Sequence, residues 1–251
     1  MPGLTVTLIT LNESSNIAAA LESVAFADEI VVVDSRSSDD TVAIAKRYTD
    51  RVIVRDWPGY IAQKNFAAAE AGHDWILSLD ADERVTPELG AEIRALLASG
   101  PACAGYRVPR LSRYLGAWVR STDWYPDYQL RLYDRRRGQW EGRYVHESVR
   151  VSGEVGRLSA DLLHYTYRDV SHHLQTIDRY TTLAARQMFE DGRRTGVRHL
   201  VLNPAAAFLR NYVARRGFVD GRVGLIVSLL NSYYVLLKFV KLWERQRGPG
   251  D

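Results

Sequence analysis

Apolar positions in the first hundred residues come in short runs separated by helix-spaced stretches. Thr5–Thr10 reads as a strand. Ser14 and Ser15 are cap residues for a helix to about Ala25. Ile30–Val33 is β-branched and ends at Asp34, and Asp39 or Asp40 caps a helix to about Tyr48. Arg51–Val54 is a short strand and Ile61–Ala71 an alanine-rich helix. Trp75-Ile76-Leu77-Ser78-Leu79 reads as a buried strand, and Pro87–Ala98 as a helix with proline in its first turn. This βαβα rhythm predicts a parallel sheet with right-handed crossovers.

After Pro101 the pattern changes. Gly105–Val108, Tyr128–Tyr133 and Val145–Val151 read as strands of a mixed half, and Ser112–Asp127 is aromatic. Asn203-Pro204 reads as a helix start, with the helix running to about Arg216. Gly217–Gly221 breaks it, and a second helix follows from about Arg222 to Arg245. The expected organisation is a catalytic domain over 1–192, divided near residue 100, and a basic amphipathic helical segment over 193–251.

Polar clusters sit where the predicted strands end. Asp80-Ala81-Asp82 follows the Trp75 strand, and ligands of open α/β sheets bind outside the carboxyl ends of strands. Two carboxylates one residue apart form a hard, oxygen-rich site. It suits Mg²⁺ or Mn²⁺ carrying a diphosphate better than zinc. An acidic turn before the Pro87 helix is the plain alternative. Leu11-Asn12-Glu13 follows the first strand, and Asp34 to Thr41 follow the second. Gln63-Lys64-Asn65 lies in the helix before the Asp80 strand. Asp34 suits a base N–H or ribose hydroxyl, or equally a turn. Lys64 suits a phosphate, or a solvated helix face.

Composition changes this picture little, and charge changes it more. The 251 residues suffice for one large α/β domain or a domain with an appendage, and 25% are charged. One cysteine, Cys103, excludes an intrachain disulfide and any multi-cysteine metal site. The start of the chain has no basic region leading into a long apolar one, so no secretory signal is expected. The net charge of +3 hides an asymmetry: from Arg193 onward 11 Lys/Arg face 3 Asp/Glu, leaving 22 and 27 in residues 1–192. A basic tail on an acidic body predicts an anionic surface as partner.

The motifs together resemble the family 2 glycosyltransferases, nucleotide-sugar enzymes of the GT-A fold. The resemblance rests on Ile9-Thr10-Leu11-Asn12-Glu13, Val31-Val32-Val33-Asp34-Ser35, Ser38-Asp39-Asp40-Thr41, Gln63-Lys64-Asn65 and Leu79-Asp80-Ala81-Asp82-Glu83. It continues through Asp127-Tyr128-Gln129-Leu130-Arg131-Leu132-Tyr133, Val145-His146-Glu147 and His164-Tyr165. Within the family the chain is most similar to bacterial lipopolysaccharide-core glucosyltransferases that add β-1,4-linked glucose to heptose. It departs where many relatives carry Asp-Asp-Gly-Ser and this chain has Asp34-Ser35-Arg36-Ser37.

The resemblance implies a GT-A, Rossmann-like α/β fold: a mixed, mainly parallel sheet flanked by helices, with a C-terminal amphipathic helical appendage. It implies that Thr10, Asn12, Glu13 and Asp34 hold base and ribose. Lys64 would sit near the donor, and Asp80-Ala81-Asp82 would contact ribose and a Mg²⁺- or Mn²⁺-bound diphosphate. His146 is a metal-ligand or diphosphate candidate, or a structural histidine. Arg131 binds phosphate or pairs internally. Inversion at the anomeric carbon needs a base for the acceptor hydroxyl. Asp127 is the first choice and Glu147 the alternative. His164, His172 and His173 read as structural.

Gly224–Val240 is mostly apolar, but Ser228, Asn231, Ser232 and Lys238 interrupt it, and a spanning helix usually needs about 20 apolar residues. Tyr233, Tyr234, Phe239 and Trp243 beside Lys238, Lys241 and Arg245 read as a face lying on a membrane. No nucleic-acid recognition motif accompanies the basic tail. The expectation is a metal-dependent inverting enzyme, peripheral on the inner face of the cytoplasmic membrane. It would move glucose from UDP-glucose to a lipid-linked saccharide. A sugar-phosphate nucleotidyltransferase and a non-catalytic membrane or nucleic-acid adaptor are the rivals. The first lacks a glycine-rich phosphate loop after strand one, and the second leaves Asp80 and Asp82 unexplained.

Overall fold

The structure is a computed structural model and describes residues 2–142 and 147–247. Its strands and helices follow in the order β1 (Leu4–Thr10), α1 (Ile17–Ser23), β2 (Glu29–Asp34), α2 (Thr41–Ala45), β3 (Val52–Val54), α3 (Tyr60–Ala69), β4 (Trp75–Asp80), β5 (Glu83–Val85) and α4 (Pro87–Ser99). Then come β6 (Gly105–Tyr114), β7 (Ala117–Val119), β8 (Asp127–Asp134), β9 (Gly138–Glu141), β10 (Ser148–Val151), β11 (Val155–Arg157) and β12 (Leu162–His164). The chain ends in α5 (Val170–Glu190), α6 (Val197–Leu209) and α7 (Gly221–Arg247). Residues 2–110, 127–142 and 147–164 form one compact unit, and residues 111–126 and 165–247 another.

The first unit carries the predicted mixed sheet, in the order β3-β2-β1-β4-β8-β6-β12-β5. β1 is parallel to β2 and β4, while β8 runs antiparallel to β4 and β6. Leu8, Leu77, Leu79, Val108 and Leu132 pack with Leu21 and Ile93 in the main core. Ile76, Tyr133, Trp140 and Ala68 form a second cluster. Thr10 is in register with Asp34, and Ile9 with Asp80, so three polar strand ends share one edge.

Local capping differs from the sequence reading at two helices. Asn16, not Ser14 or Ser15, is the N-cap of α1. Asp40 is the N-cap of α2 but makes no side-chain cap bond, and Asp39 instead accepts from the Thr41 and Ser14 backbone N–H groups at 3.0 and 3.1 Å. The cap of α4 follows the usual chemistry: Thr86 Oγ1 accepts from Leu89 N at 3.1 Å, with Pro87 just inside.

In the second unit β7 pairs with Ser112–Tyr114 of β6. The sequence reading assigned no helix to α5, which Asp169 caps by accepting from His172 N at 2.7 Å. It also placed a helix start at Asn203-Pro204, whereas Pro204 lies inside α6. Packing overrides the lost hydrogen bond: Pro204 is buried, and its carbonyl accepts from Ser232 Oγ of α7 at 2.8 Å. A π-turn (Arg210–Ala214) and a 3₁₀ turn (Gly217–Asp220) lead into α7. A Cβ on Gly224 would collide with the Gly217 carbonyl oxygen, so this approach requires glycine.

The aromatic face predicted for α7 divides. Phe239 packs on Ala185, Met188 and Leu242, while Tyr233 and Trp243 stay exposed. By length and composition alone, residues 217–247 are long and apolar enough to cross a membrane.

Candidate active site

The edge where β1, β2 and β4 end gathers most of the polar residues singled out above. Asp34 is fully buried and accepts from Ser37 N at 2.8 Å and Ser37 Oγ at 2.5 Å, so it organises its own loop. Asn12, at φ 55°, accepts from Ser38 N at 2.8 Å and donates its N–H to Ser37 Oγ. Glu13 N–H donates to Thr41 Oγ1 at 2.8 Å. These bonds tie the β1 exit to the β2 exit. The departure from Asp-Asp-Gly-Ser falls in this loop. Arg36 takes φ 61°, a conformation glycine adopts freely, and its guanidinium pairs with Asp56. Ser35 stands where the resemblance leads one to expect a second acid, and its Oγ accepts from buried Gln63 Nε2 at 3.1 Å. Beside it, Thr10 Oγ1 and Gln63 Oε1 are buried without a protein partner. A buried polar atom without a protein partner is one that an ordered water or a ligand can satisfy.

At the end of β4 a chain of ion pairs begins. Lys64 Nζ of α3 donates to Asp80 Oδ1 at 2.7 Å and sits 4.1 Å from the Trp140 ring centroid. Asn65 fixes that ring by a two-way clasp with the Trp140 backbone, 2.9 and 2.8 Å long. Arg131 Nη2 of β8 bonds Asp80 Oδ2 at 2.7 Å and Glu83 Oε1 at 2.6 Å. Glu83 also receives the Asp80 backbone N–H at 3.0 Å and Arg110 Nη1 at 3.4 Å. Arg110 in turn holds Asp127 Oδ2 through Nε at 3.0 Å and Nη2 at 2.6 Å, and Gln129 donates to Asp127 Oδ1. Lys64, Arg131 and Arg110 thus balance Asp80, Glu83 and Asp127.

Burial alone would raise the Asp80 carboxyl, but Arg131 and then Lys64 outweigh it and hold the group far below the usual carboxylate range. Arg131 is raised for the mirrored reason, burial being overcome by Asp80 and Glu83.

Asp82 takes a different partner. β5 pairs antiparallel with β12, setting Glu83 opposite His164. This brings His164 Nε2 to 3.3 Å from Asp82 Oδ2. The sequence reading set His164 aside as structural, and the structure places it beside the second carboxylate. Among the described residues no three His, Cys, Asp or Glu side chains form a ready metal cluster. The donor set still fits a divalent cation. Both Asp80 oxygens are engaged, whereas Asp82 is partly open and has an imidazole beside it, a set that diphosphate and water oxygens would complete. His146 lies outside the described residues. Glu147 is half-buried and Ala81 packs in the main core.

Sequence reasoning named neither Glu83, Arg110 nor Trp140 as a site residue. Glu83 had a signal, three positions beyond Asp80. The other two join the site through β6 and β9, and nothing in the local sequence reports that.

The fold is that of known nucleotide-sugar transferases. A mannosyltransferase from Pyrobaculum calidifontis, solved with GDP-Man and Mn²⁺, superposes with a TM-score of 0.57 at 15% identity. The match covers 97% of this chain and 88% of that one. Glucosyl-3-phosphoglycerate synthase from Mycobacterium tuberculosis, solved with Mn²⁺, UDP and glucosyl-3-phosphoglycerate, gives a TM-score of 0.50 at 15% identity, covering 78% and 82%.

The sequence model described as Glycosyl transferase family 2 matches residues 5–151, and this chain belongs to that family. The chain is also 31% identical to the lipopolysaccharide core biosynthesis glycosyltransferase LpsC of Rhizobium meliloti, over 96% of this chain and 92% of that protein. It is 31% identical to an uncharacterized glycosyltransferase of Rickettsia typhi, over 97% and 88%.

Proposed function

We propose that this glycosyltransferase moves glucose from UDP-glucose, with inversion, to a saccharide hydroxyl on a lipid-linked acceptor such as the lipopolysaccharide core. The observation that carries the reading is the edge where Thr10, Asp34, Lys64 and Asp80 meet beside the Asp82–His164 pair. The partnerless buried atoms of Thr10 and Gln63 support the reading, since a bound nucleotide would supply partners for them. Family membership favours transfer over the nucleotidyltransferase and adaptor rivals, and the LpsC likeness supports the acceptor class.

In a single displacement the acceptor oxygen attacks the anomeric carbon and the bond to the diphosphate oxygen breaks. The acceptor proton passes to a carboxylate. Asp127 is the proposed base. Arg110 and Gln129 fix its orientation, and Glu147 is the residue to test beside it. Asp82 and His164 would hold the divalent ion, which when bound neutralises charge on the leaving diphosphate. Lys64 and Arg131 keep Asp80 ionised and oriented toward the donor.

The membrane reading draws on the second unit. Leu209, Val213, Phe218 and Val219 are exposed around the turn between α6 and α7, beside exposed Arg215, Arg216 and Arg222. An apolar cluster rimmed by arginines suits the headgroup boundary of an anionic bilayer, here the inner face of the cytoplasmic membrane.

The test is a panel of nucleotide sugars with Mn²⁺ and a heptose-containing acceptor, read by product mass and thermal shift. Transfer from UDP-glucose above all other donors is expected. Preferred transfer of another sugar overturns the donor assignment, and release of pyrophosphate from a sugar phosphate and a nucleoside triphosphate overturns the reaction class.

A further inference from the structure

The buried face of α3 continues past the edge of the sheet. Gln63, Lys64 and Ala67 lie on that face, and all three are buried. Tyr60 precedes them by three, four and seven residues, so it belongs to the same face. Ala67 packs against Val31 and Val33 inside β2, whereas Gln63 bonds Ser35 just past the end of β2. The helix therefore enters at the site edge and runs back along the sheet. Tyr60 opens it, about 5 Å beyond Gln63 and Lys64, where the strands have ended. This is why a residue of the buried face is exposed. Residues four apart on a helix keep their Cβ atoms about 5–6 Å apart, and helical side chains lean toward the N-terminus. The Lys64–Asp80 ion pair thus lies beside the turn that Tyr60 begins.

Trp57 stands against Tyr60, edge to face, with ring centroids 4.7 Å apart, and it too is exposed. The segment that carries the rings is tied to the β2 exit. Arg55 N–H donates to the Asp34 carbonyl oxygen at 2.9 Å, and Asp56 pairs with Arg36. Sheet order runs β3-β2-β1-β4-β8. In the glycosyltransferase reading the diphosphate lies at Asp80 and Asp82 and the acceptor at Asp127 of β8. The base end of the donor then extends the other way, over β1 and β2 toward the rings. Asp34 is fully buried with both oxygens bonded to Ser37, so it offers a base no open surface.

We propose that Trp57 and Tyr60 form an aromatic platform on which the nucleobase of the donor stacks. This rests on the glycosyltransferase reading above and names the residues that hold the donor's base end.

The experiment measures Kd for UDP, uridine and pyrophosphate, each with Mn²⁺, on wild type, Trp57→Ala, Tyr60→Ala and Tyr60→Phe. Both rings are exposed, so the variants should keep the wild-type melting temperature. Each alanine variant should raise Kd for UDP and for uridine by about tenfold. That is about 1.4 kcal/mol, within the range for one stacked base. Pyrophosphate has no base, and its affinity should not change. Tyr60→Phe keeps the ring and should bind UDP as wild type does. UDP should quench tryptophan fluorescence, and Trp57→Phe should remove most of that quench while UDP still binds.

An unchanged Kd for UDP in both alanine variants overturns the platform. An equal loss of pyrophosphate affinity also overturns it, because the whole edge has then loosened. So does a rise confined to the acceptor KM, which gives the rings to the acceptor sugar. UDP binding with the Trp57 quench, but no transfer from any nucleotide sugar, counts against the glycosyltransferase reading alone. Transfer by wild type, with UDP affinity intact in the alanine variants, counts against the platform alone. A wild type that binds no nucleotide overturns both.

Discussion

Glu83→Gln tests whether the site is held by balanced buried charge. The substitution keeps shape and removes one of three negative charges, leaving three cations against two acids. Glu83 is fully buried, and Arg131, its closest partner, is 3% exposed, so water cannot compensate. Removing one member of a buried pair typically costs 3–5 kcal/mol. Arg131 keeps Asp80, so the expected cost is at the low end, about 3 kcal/mol, or about 6–12 °C in melting temperature for a chain of this size. The Asp80 N–H also loses a charged acceptor, so UDP affinity should fall with stability. The assay is urea unfolding with UDP titration on wild type, Glu83→Gln, Arg110→Met and the double variant. The double variant restores balance, two cations against two acids, and should cost clearly less than the sum of the singles. A Glu83→Gln cost below about 1 kcal/mol, the level of an exposed ion pair, with additive behaviour in the double variant, refutes the charge-balance argument.

Four further outcomes are expected. Chelation should abolish transfer and Mn²⁺ restore it, and Asp82→Asn and His164→Gln should each raise the Mn²⁺ concentration needed for half-maximal rate; a metal-free enzyme of full activity contradicts this. Asp127→Asn should collapse kcat with UDP affinity nearly unchanged, whereas survival of Asp127→Asn and collapse of Glu147→Gln transfers the role to Glu147. Burial lowers the pKa of His173 to about 4, with Nδ1 3.0 Å from the Tyr114 hydroxyl. The unfolded chain then binds a proton that the folded one refuses, so stability present above about pH 6.5 is lost progressively toward pH 4, by up to about 3 kcal/mol. Urea midpoints of His173→Phe should show a flatter pH dependence across that window. Finally, Phe218→Ser with Val219→Ser, Arg216→Ala and Arg222→Ala should weaken co-sedimentation with anionic vesicles, the two arginines contributing about 2 kcal/mol. Arg210 and Arg215 are left intact because both pair with Asp123. Equal binding to neutral and anionic vesicles rejects electrostatic docking, and extraction only by detergent indicates a spanning α7.

The sequence by itself determined the parallel half of the fold and the edge where its polar strand ends gather. Strand runs of Val, Ile and Leu ending in Asn12, Asp34 or Asp80 encode both burial and exit within a few residues. A parallel sheet then aligns such ends without further information. The sequence also determined the helix that opens at Pro87, because a proline in the first turn is a local signal. It did not determine α5 or the true start of α6. Val197, Val201 and Leu202 are exposed, so the apolar pattern there does not follow the buried face, and packing against α7 outweighs the break that Pro204 signals.

The electrostatics of the site were decided by tertiary structure alone. Lys64 looks like a solvated helix charge until β4 brings Asp80 to 2.7 Å. Arg131 is one arginine among many until burial between Asp80 and Glu83 fixes its role. His164 reaches Asp82 only because β12 pairs with β5 in one register, and a slip of one residue would turn its ring to the other face. Charge pairing depends on distance and on exclusion of water, and both come from contacts between segments far apart in the chain, which no local pattern of residues records.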